Sequence, residues 1–202
     1  GWNGAARGSL GFADTLLPEA GAVITALREL GLKTCILSGD SERVTARVAL
    51  DVGADHWRAE LTPEDKQAVL KEWTQSRSSV AMVGDGLNDA PVLAEAAVGI
   101  AVGGATDLAR ETSDITLPVA GLMRLPWLFS LSRRVQKTIY QNLFWALSYN
   151  LIGLFPAATG LLKPIAAAAL MAGSSILIVI NSLRLEHFPS SVSYQDMRTR
   201  NV

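Results

Sequence analysis

The chain has 202 residues, 49% of them hydrophobic, and 18 Lys and Arg stand against 19 Asp and Glu for a net charge of −1. So even a balance supplies no field for gathering nucleic acid or an acidic partner. The lone cysteine, Cys35, excludes an internal disulfide framework and a multi-cysteine metal centre. Within Thr34-Cys35-Ile36-Leu37 it reads as a buried strand thiol rather than a reactive one. The chain opens on Gly-Trp-Asn-Gly, without an initiating Met or a signal-peptide pattern, so a stretch of a longer protein is the expectation.

In chain order, short apolar runs alternate with helical stretches from Gly8 to Pro118. Leu10–Ala13 reads as a strand ending in Asp14. Pro18–Leu30 reads as a helix, with Pro in its first turn and Gly31 just past its end. Leu32–Leu37 is a strand followed by Ser38-Gly39-Asp40-Ser41, then a helix to about Val52 that Gly53 ends. A short strand at His56-Trp57 precedes Thr62-Pro63-Glu64-Asp65, which starts a helix with a cap, an early proline and first-turn acids.

Ser79–Val83 reads as a buried strand that runs into Gly84-Asp85-Gly86-Leu87-Asn88-Asp89-Ala90-Pro91. The glycines let the backbone turn sharply beside a ligand, and two carboxylates four residues apart suit Mg²⁺ held together with a substrate phosphate. The plainer alternative for Asp89 and Asn88 is helix capping. A helix over Asp89–Ala96, strands at Val98–Val102 and Asp114–Leu117, and a helix over Ala105–Glu111 complete the pattern. Strand–helix–strand alternation at this spacing predicts an α/β fold with a doubly wound, mostly parallel sheet. Ligands of such sheets sit outside the carboxyl ends of the strands, where Asp14, Ser38, Asp40, Asp85 and Asp89 all fall.

Past Pro118 the composition changes. Gly121–Ile139 reads as an amphipathic helix, apolar at Leu122, Leu125, Trp127, Leu128 and Leu131 and basic at Arg133, Arg134 and Lys137. Leu143–Leu162 and Pro164–Leu183 carry no charge, and each reaches the roughly 20 residues that cross a bilayer. A transmembrane hairpin follows, with its turn at Lys163-Pro164. Arg124, Arg133, Arg134 and Lys137 before the first span and Arg184 after the second outweigh Lys163 in the turn. The positive-inside rule then puts both ends and the α/β domain in the cytoplasm of a multi-pass protein of the cell membrane. The division expected is 1–118 for the α/β domain, 119–139 for a connecting helix, 140–185 for the spans and 186–202 for a polar tail. Among polar residues at membrane depth, Ser174, Asn181 and Ser182 suit interhelical packing. Tyr149, Asn150, Met171 and Ser175 suit an ion path, and the Met thioether is a soft ligand of the kind that selects Cu(I).

The string Gly84–Pro91 closely resembles the hinge motif of P-type ATPases, within the haloacid-dehalogenase superfamily. Ser38-Gly39-Asp40 resembles that family's Thr-Gly-Asp element, and Pro63-Glu64-Asp65-Lys66 resembles the segment whose lysine contacts the phosphorylated site. Asp14-Thr15-Leu16-Leu17-Pro18 resembles its acidic strand end, although a basic residue is usual where Leu17 stands. Tyr149-Asn150 and Met171-Ala172-Gly173-Ser174-Ser175 resemble the copper(I) subgroup of the heavy-metal pumps.

The resemblance implies ATP-driven export of Cu⁺ through a phosphoaspartate, with Mg²⁺ bound by Asp85 and Asp89. It implies phosphoryl contacts from Ser38, Gly39, Lys66 and Asn88, a supporting role for Asp14 and Asp40 in binding the cofactor, and a transported ion at Tyr149, Asn150, Met171 and Ser175. The partners implied are the lipid bilayer, the heavy-metal ion, the upstream remainder of the same ATPase and a copper chaperone, with no nucleic acid. No Asp-Lys-Thr-Gly-Thr phosphorylation segment, Thr-Gly-Glu loop or Cys-Pro-Cys span is found in these residues, so the stretch alone is expected not to hydrolyse ATP. The rivals are a zinc, cadmium or cobalt pump, a membrane-anchored phosphatase using Asp14, and a non-catalytic membrane subunit. Asp14 lacks the second aspartate such phosphatases carry two residues on, where Leu16 stands.

Overall fold

Cys35–Leu37 (β1) and His56–Arg58 (β2) pair in parallel, Cys35 opposite His56 and Leu37 opposite Arg58. Ala81–Gly84 (β3), Val98–Ala101 (β4) and Ile115–Thr116 (β5) form a second parallel set in that order. The structure is a computed structural model that describes residues 2, 15–76, 79–85, 89–103, 107–118, 121–160 and 163–188. The strand expected at Leu10–Ala13 and the tail from 189 onward lie outside the described residues. Every described ladder is parallel, so the α/β reading holds, in two separate sheets among the described residues.

The helices follow the apolar spacing. Ala20–Glu29 (α1) buries Val23 and Leu27, and Glu42–Val52 (α2) buries Thr45, Ala49 and Val52, the three- and four-residue steps of one helix face. Gly53 closes α2 at φ 74, a left-handed turn that favours glycine. Pro63–Gln75 (α3) starts on a full capping box, Thr62 accepting from the Asp65 N–H while the Asp65 carboxylate accepts from the Thr62 N–H. Ala90–Glu95 (α4) and Asp107–Thr112 (α5) cross between β3, β4 and β5. Leu70, Leu93 and Ile100 are each 1% exposed, and burying a side chain of that size is worth about 2 kcal/mol.

The chain divides into two compact units, Gly1–Leu122 and Met123–Val202. In the second, Leu125–Ala158 (α6) is one helix of 34 residues, about 51 Å long at 1.5 Å per residue. The sequence leads one to expect a break between an amphipathic helix and a span, but nothing between Gln136 and Asn150 is a helix breaker. Pro126 sits in the first turn, where its missing N–H is no loss, and Pro156 lies only in the last turn. Pro164–Leu183 (α7) follows. Among the described residues only one helix, Ile165–Leu183, is long and apolar enough to cross a membrane. The expected first span falls short because Trp145, Ser148, Tyr149, Asn150 and Pro156 dilute its apolar character. By length and composition the described residues therefore support one of the two expected spans, and residues 161 and 162 of the other lie outside them.

Candidate active site

β3 delivers the carboxylates. Asp85 follows the last strand residue, Gly84, and is exposed, with no hydrogen-bond or ion-pair partner among the described residues. Asp89 stands at the N-cap position of α4, yet its side chain makes no capping bond. Its Oδ1 instead takes the Nζ of Lys66 at 2.9 Å, with the two side chains 15% and 18% exposed. Asp89 therefore does not cap α4 with its side chain, because the carboxylate points away from its own helix toward a lysine of α3.

Gly84 makes that close approach possible. A Cβ at Gly84 would lie 2.9 Å from the Asp89 Cβ and 3.1 Å from its Oδ2, so Asp89 sits this close to the strand end only because Gly84 has no side chain. Two further links hold α3 against α4. The Gln67 amide donates to the Pro91 carbonyl at 3.1 Å, and Lys71 lies 3.7 Å from Glu95. Gln67 escaped sequence reading, and the only signal for it is its place beside Lys66 in the same helical turn.

The turn after β1 is built separately. The Ser38 hydroxyl donates to Asp40 Oδ2 at 2.8 Å, and the Asp40 N–H donates back to Ser38 Oγ at 3.2 Å. The loop after β2 holds it, since the N–H groups of Glu60 and Leu61 donate to the carbonyls of Asp40 and Ser38 at 2.8 and 3.0 Å. Gly39 faces Leu61 O, which a Cβ would approach to 3.3 Å. Glu60 itself adopts φ 55, a left-handed conformation uncommon for a side chain of its kind. Ser38, Gly39 and Asp40 thus form one turn and Lys66 with Asp89 one ion pair. No hydrogen bond or ion pair links the two groups among the described residues. Asp14 and Asn88 lie outside the described residues.

Mg²⁺ asks for one or two carboxylates and completes its shell with waters and phosphate oxygens. Among the described residues no group of three His, Cys, Asp or Glu forms a dedicated cage. The donor set therefore fits a cation shared with a phosphate, which Asp85, without a partner among the described residues, could hold while Asp89 is largely committed to Lys66. Cys35 is no rival ligand. Burial pushes its thiol above the ordinary range, against a smaller pull downward from the Arg58 charge, and the neutral thiol is a weak ligand and nucleophile.

On the helical unit, Tyr149 and Asn150 belong to α6, and Met171 and Ser175 to α7. Ser174 and Ser175 both donate to the Met171 carbonyl, at 2.8 and 3.0 Å, and Met171 is 69% exposed. No described hydrogen bond joins the α6 pair to the α7 pair. The helices meet instead at Asn142, whose amide donates to Ser182 Oγ at 3.0 Å and whose Oδ1 accepts from Asn181 at 2.8 Å. Asn181 and Ser182 are thus interhelical, as their residue types imply. Asn142, a polar residue in a long apolar run, is the partner that sequence alone leaves unassigned.

Residues 2–97 match the family described as haloacid dehalogenase-like hydrolase, and with its parallel strands and carboxylate-bearing strand end this stretch is a haloacid dehalogenase-like hydrolase domain. Over more than nine-tenths of its length the chain is a homologue of P-type ATPases. It is 44% identical over 188 residues, 93% of the chain, to the probable copper-exporting P-type ATPase V of Mycobacterium tuberculosis, covering 24% of that protein. It is 42% identical over 184 residues, 91% of the chain, to the copper-exporting P-type ATPase of Bacillus subtilis, covering 23% of it. Among solved structures, a zinc-transporting PIB-type ATPase in the E2.Pi state superposes with a TM-score of 0.80 at 37% identity, over 85% of this chain and 28% of that one. The chain spans about a quarter of the length of the curated relatives it matches.

Proposed function

We propose that this chain is the part of a heavy-metal P-type ATPase that carries half of the phosphoryl-transfer site and two membrane helices, and that the pump exports Cu(I) from the cytoplasm. The observation that carries the reading is the 44% identity over 93% of the chain to a relative named for copper export. Phosphoryl transfer requires in-line positioning and neutralisation of the moving charge, with little covalent work by the protein. Asp85 is assigned to Mg²⁺, which when bound neutralises phosphate oxygens. Lys66, held by Asp89, brings a fixed cation to the same strand end. Ser38 and the N–H of Gly39 are donors for phosphoryl oxygens, Asn88 adds a side-chain amide, and Asp14 and Asp40 support the nucleotide-bound cation. The phosphorylated aspartate is assigned outside these residues, because none of them matches the family's phosphorylation segment.

The two helices are proposed to span the cell membrane as a hairpin, with the α/β domain cytoplasmic. Large side chains support this for both helices: Leu151, Ile152 and Phe155 of α6 are 72%, 74% and 74% exposed, and Ile165 of α7 is 85% exposed. Apolar surface on that scale needs lipid or further helices to cover it. Tyr149, Asn150, Met171 and Ser175 are assigned to the transported ion, and a copper chaperone is the partner that would deliver it. The likeness to a zinc-transporting ATPase favours a second reading, zinc in place of copper, at the lower identity of 37%. Replacing Met171 by Ala in the complete pump tests the assignment. Loss of copper-stimulated ATP hydrolysis is expected, and unchanged stimulation refutes it.

A further inference from the structure

The hydrogen bonds among Asn142, Asn181 and Ser182 sit at one end of a longer seam. Half-buried or buried positions recur on α6 at Asn142, Ala146, Tyr149, Gly153 and Pro156, in steps of four and three. On α7 they recur at Ala167, Ser174, Ile178 and Asn181, in steps of seven, four and three. This is the spacing of a heptad seam between two antiparallel helices. The clamp sets Asn142 opposite Asn181. One heptad inward, about 10.5 Å along the axis, the same register sets Tyr149 level with Ser174. A second heptad sets Pro156 level with Ala167.

Asn150 lies one residue after Tyr149, and Ser175 one residue after Ser174. At about 100° per residue each turns away from the seam, and because the helices run antiparallel both turn toward the same side of the pair. Met171 is one turn from Ser175 on that side. All three are exposed. A slip of one turn between the helices, about 5.4 Å, would leave one of Met171 and Ser175 about 8 Å from the level of Asn150.

We propose that Asn142, Asn181 and Ser182 are positioning residues: they lock the register of α6 and α7 at which Asn150, Met171 and Ser175 share one level and one side of the hairpin. This rests on the reading of those residues as ligands of the transported cation. A single hydrogen-bonded asparagine in an otherwise apolar helix seam is a known device for fixing register. Here both functional groups of the Asn142 amide are engaged, one with Ser182 and one with Asn181.

The test is made in the full-length protein in membranes, with cysteines placed at Ala146 and Ile178, two seam positions outside both the clamp and the ligand set, and the cross-link between them identified by peptide mapping against the protein without them. Cross-linking by a short bifunctional thiol reagent reads the register, and the Cu(I) concentration giving half-maximal ATPase stimulation reads the site. Asn142→Leu is expected to lower the cross-link yield at least fivefold and raise the half-maximal concentration about tenfold, with the maximal rate kept within twofold. Ser182→Ala leaves the Asn142–Asn181 bond and is expected to shift both readouts in the same direction by less. Unchanged cross-linking in both variants overturns the proposal. Lost cross-linking with an unaltered copper response keeps the clamp and overturns the cation site it is proposed to serve.

Discussion

Lys66 and Asp89 lie 23 positions apart on different elements, and their charged ends meet at 2.9 Å with both side chains mostly buried. The pair ties the first turn of α3 to the loop leaving β3, so the strand end that presents Asp85 is held by a charge from outside its own loop. Removing the lysine leaves a mostly buried carboxylate without its cation. Lys66→Ala is expected to cost about 2 kcal/mol of domain stability, discounted for the residual exposure. A double-mutant cycle with Asp89→Asn, read by chemical denaturation, should return a coupling of about 1 kcal/mol or more. Additive losses would contradict a direct interaction.

Two glycines are limited by space rather than by backbone angle, and they should differ in severity. A Cβ at Gly84 meets the Asp89 Cβ at 2.9 Å, which no rotamer moves, so the start of α4 must give by a few tenths of an ångström and the Lys66 bond is disturbed. A Cβ at Gly99 meets the Leu93 carbonyl oxygen at 2.5 Å, and backbone cannot step aside. Gly84→Ala is therefore expected to cost about 1–2 kcal/mol and to remove most of the Lys66–Asp89 coupling, whereas Gly99→Ala costs about 3 kcal/mol or prevents folding. Thermal unfolding of the two variants gives the order.

Two carboxylates tie stability to acid pH. Asp55 is held below the usual carboxylate range chiefly by the Thr34 N–H, then by the Thr34 hydroxyl, with Arg28 adding charge. Asp65 is held low by the Thr62 N–H and hydroxyl of the capping box. A carboxyl with a depressed folded pKa contributes stability that is present above its unfolded value, about 4, and is lost as pH falls through the folded value. Stability of the α/β unit should fall below about pH 4, and Asp55→Asn with Asp65→Asn should flatten that fall. An unchanged acid slope would show that other groups set it.

The cap itself is separable from its charge. Thr62→Ala removes the acceptor for the Asp65 N–H and is expected to cost about 1 kcal/mol, while Thr62→Ser retains it. Denaturant midpoints of the two variants test this.

Much of the α/β unit is legible in the sequence because its signals are local. Gly31 and Gly53 close helices, Thr62-Pro63 opens one, and the apolar runs before Ser38 and Asp85 form the strands. What the sequence does not carry is partnership. That Asp89 would pair with Lys66 instead of capping α4 depends on α3 packing beside the start of α4, a long-range fact with no local signature. The same holds for Asn142 and Asn181, 39 positions apart. The continuity of α6 across the connecting helix and the first expected span has a different reason. Polarity changes along α6 without any residue that stops a helix, so composition marks a boundary that the backbone ignores.

Copper transport is tested most directly by ATP hydrolysis of the full-length protein in membranes against added Cu(I), Zn(II), Cd(II) and Co(II). Saturable stimulation by Cu(I), lost in Met171→Ala, is the predicted result. Stimulation by Zn(II), Cd(II) or Co(II) with no response to Cu(I) would contradict it.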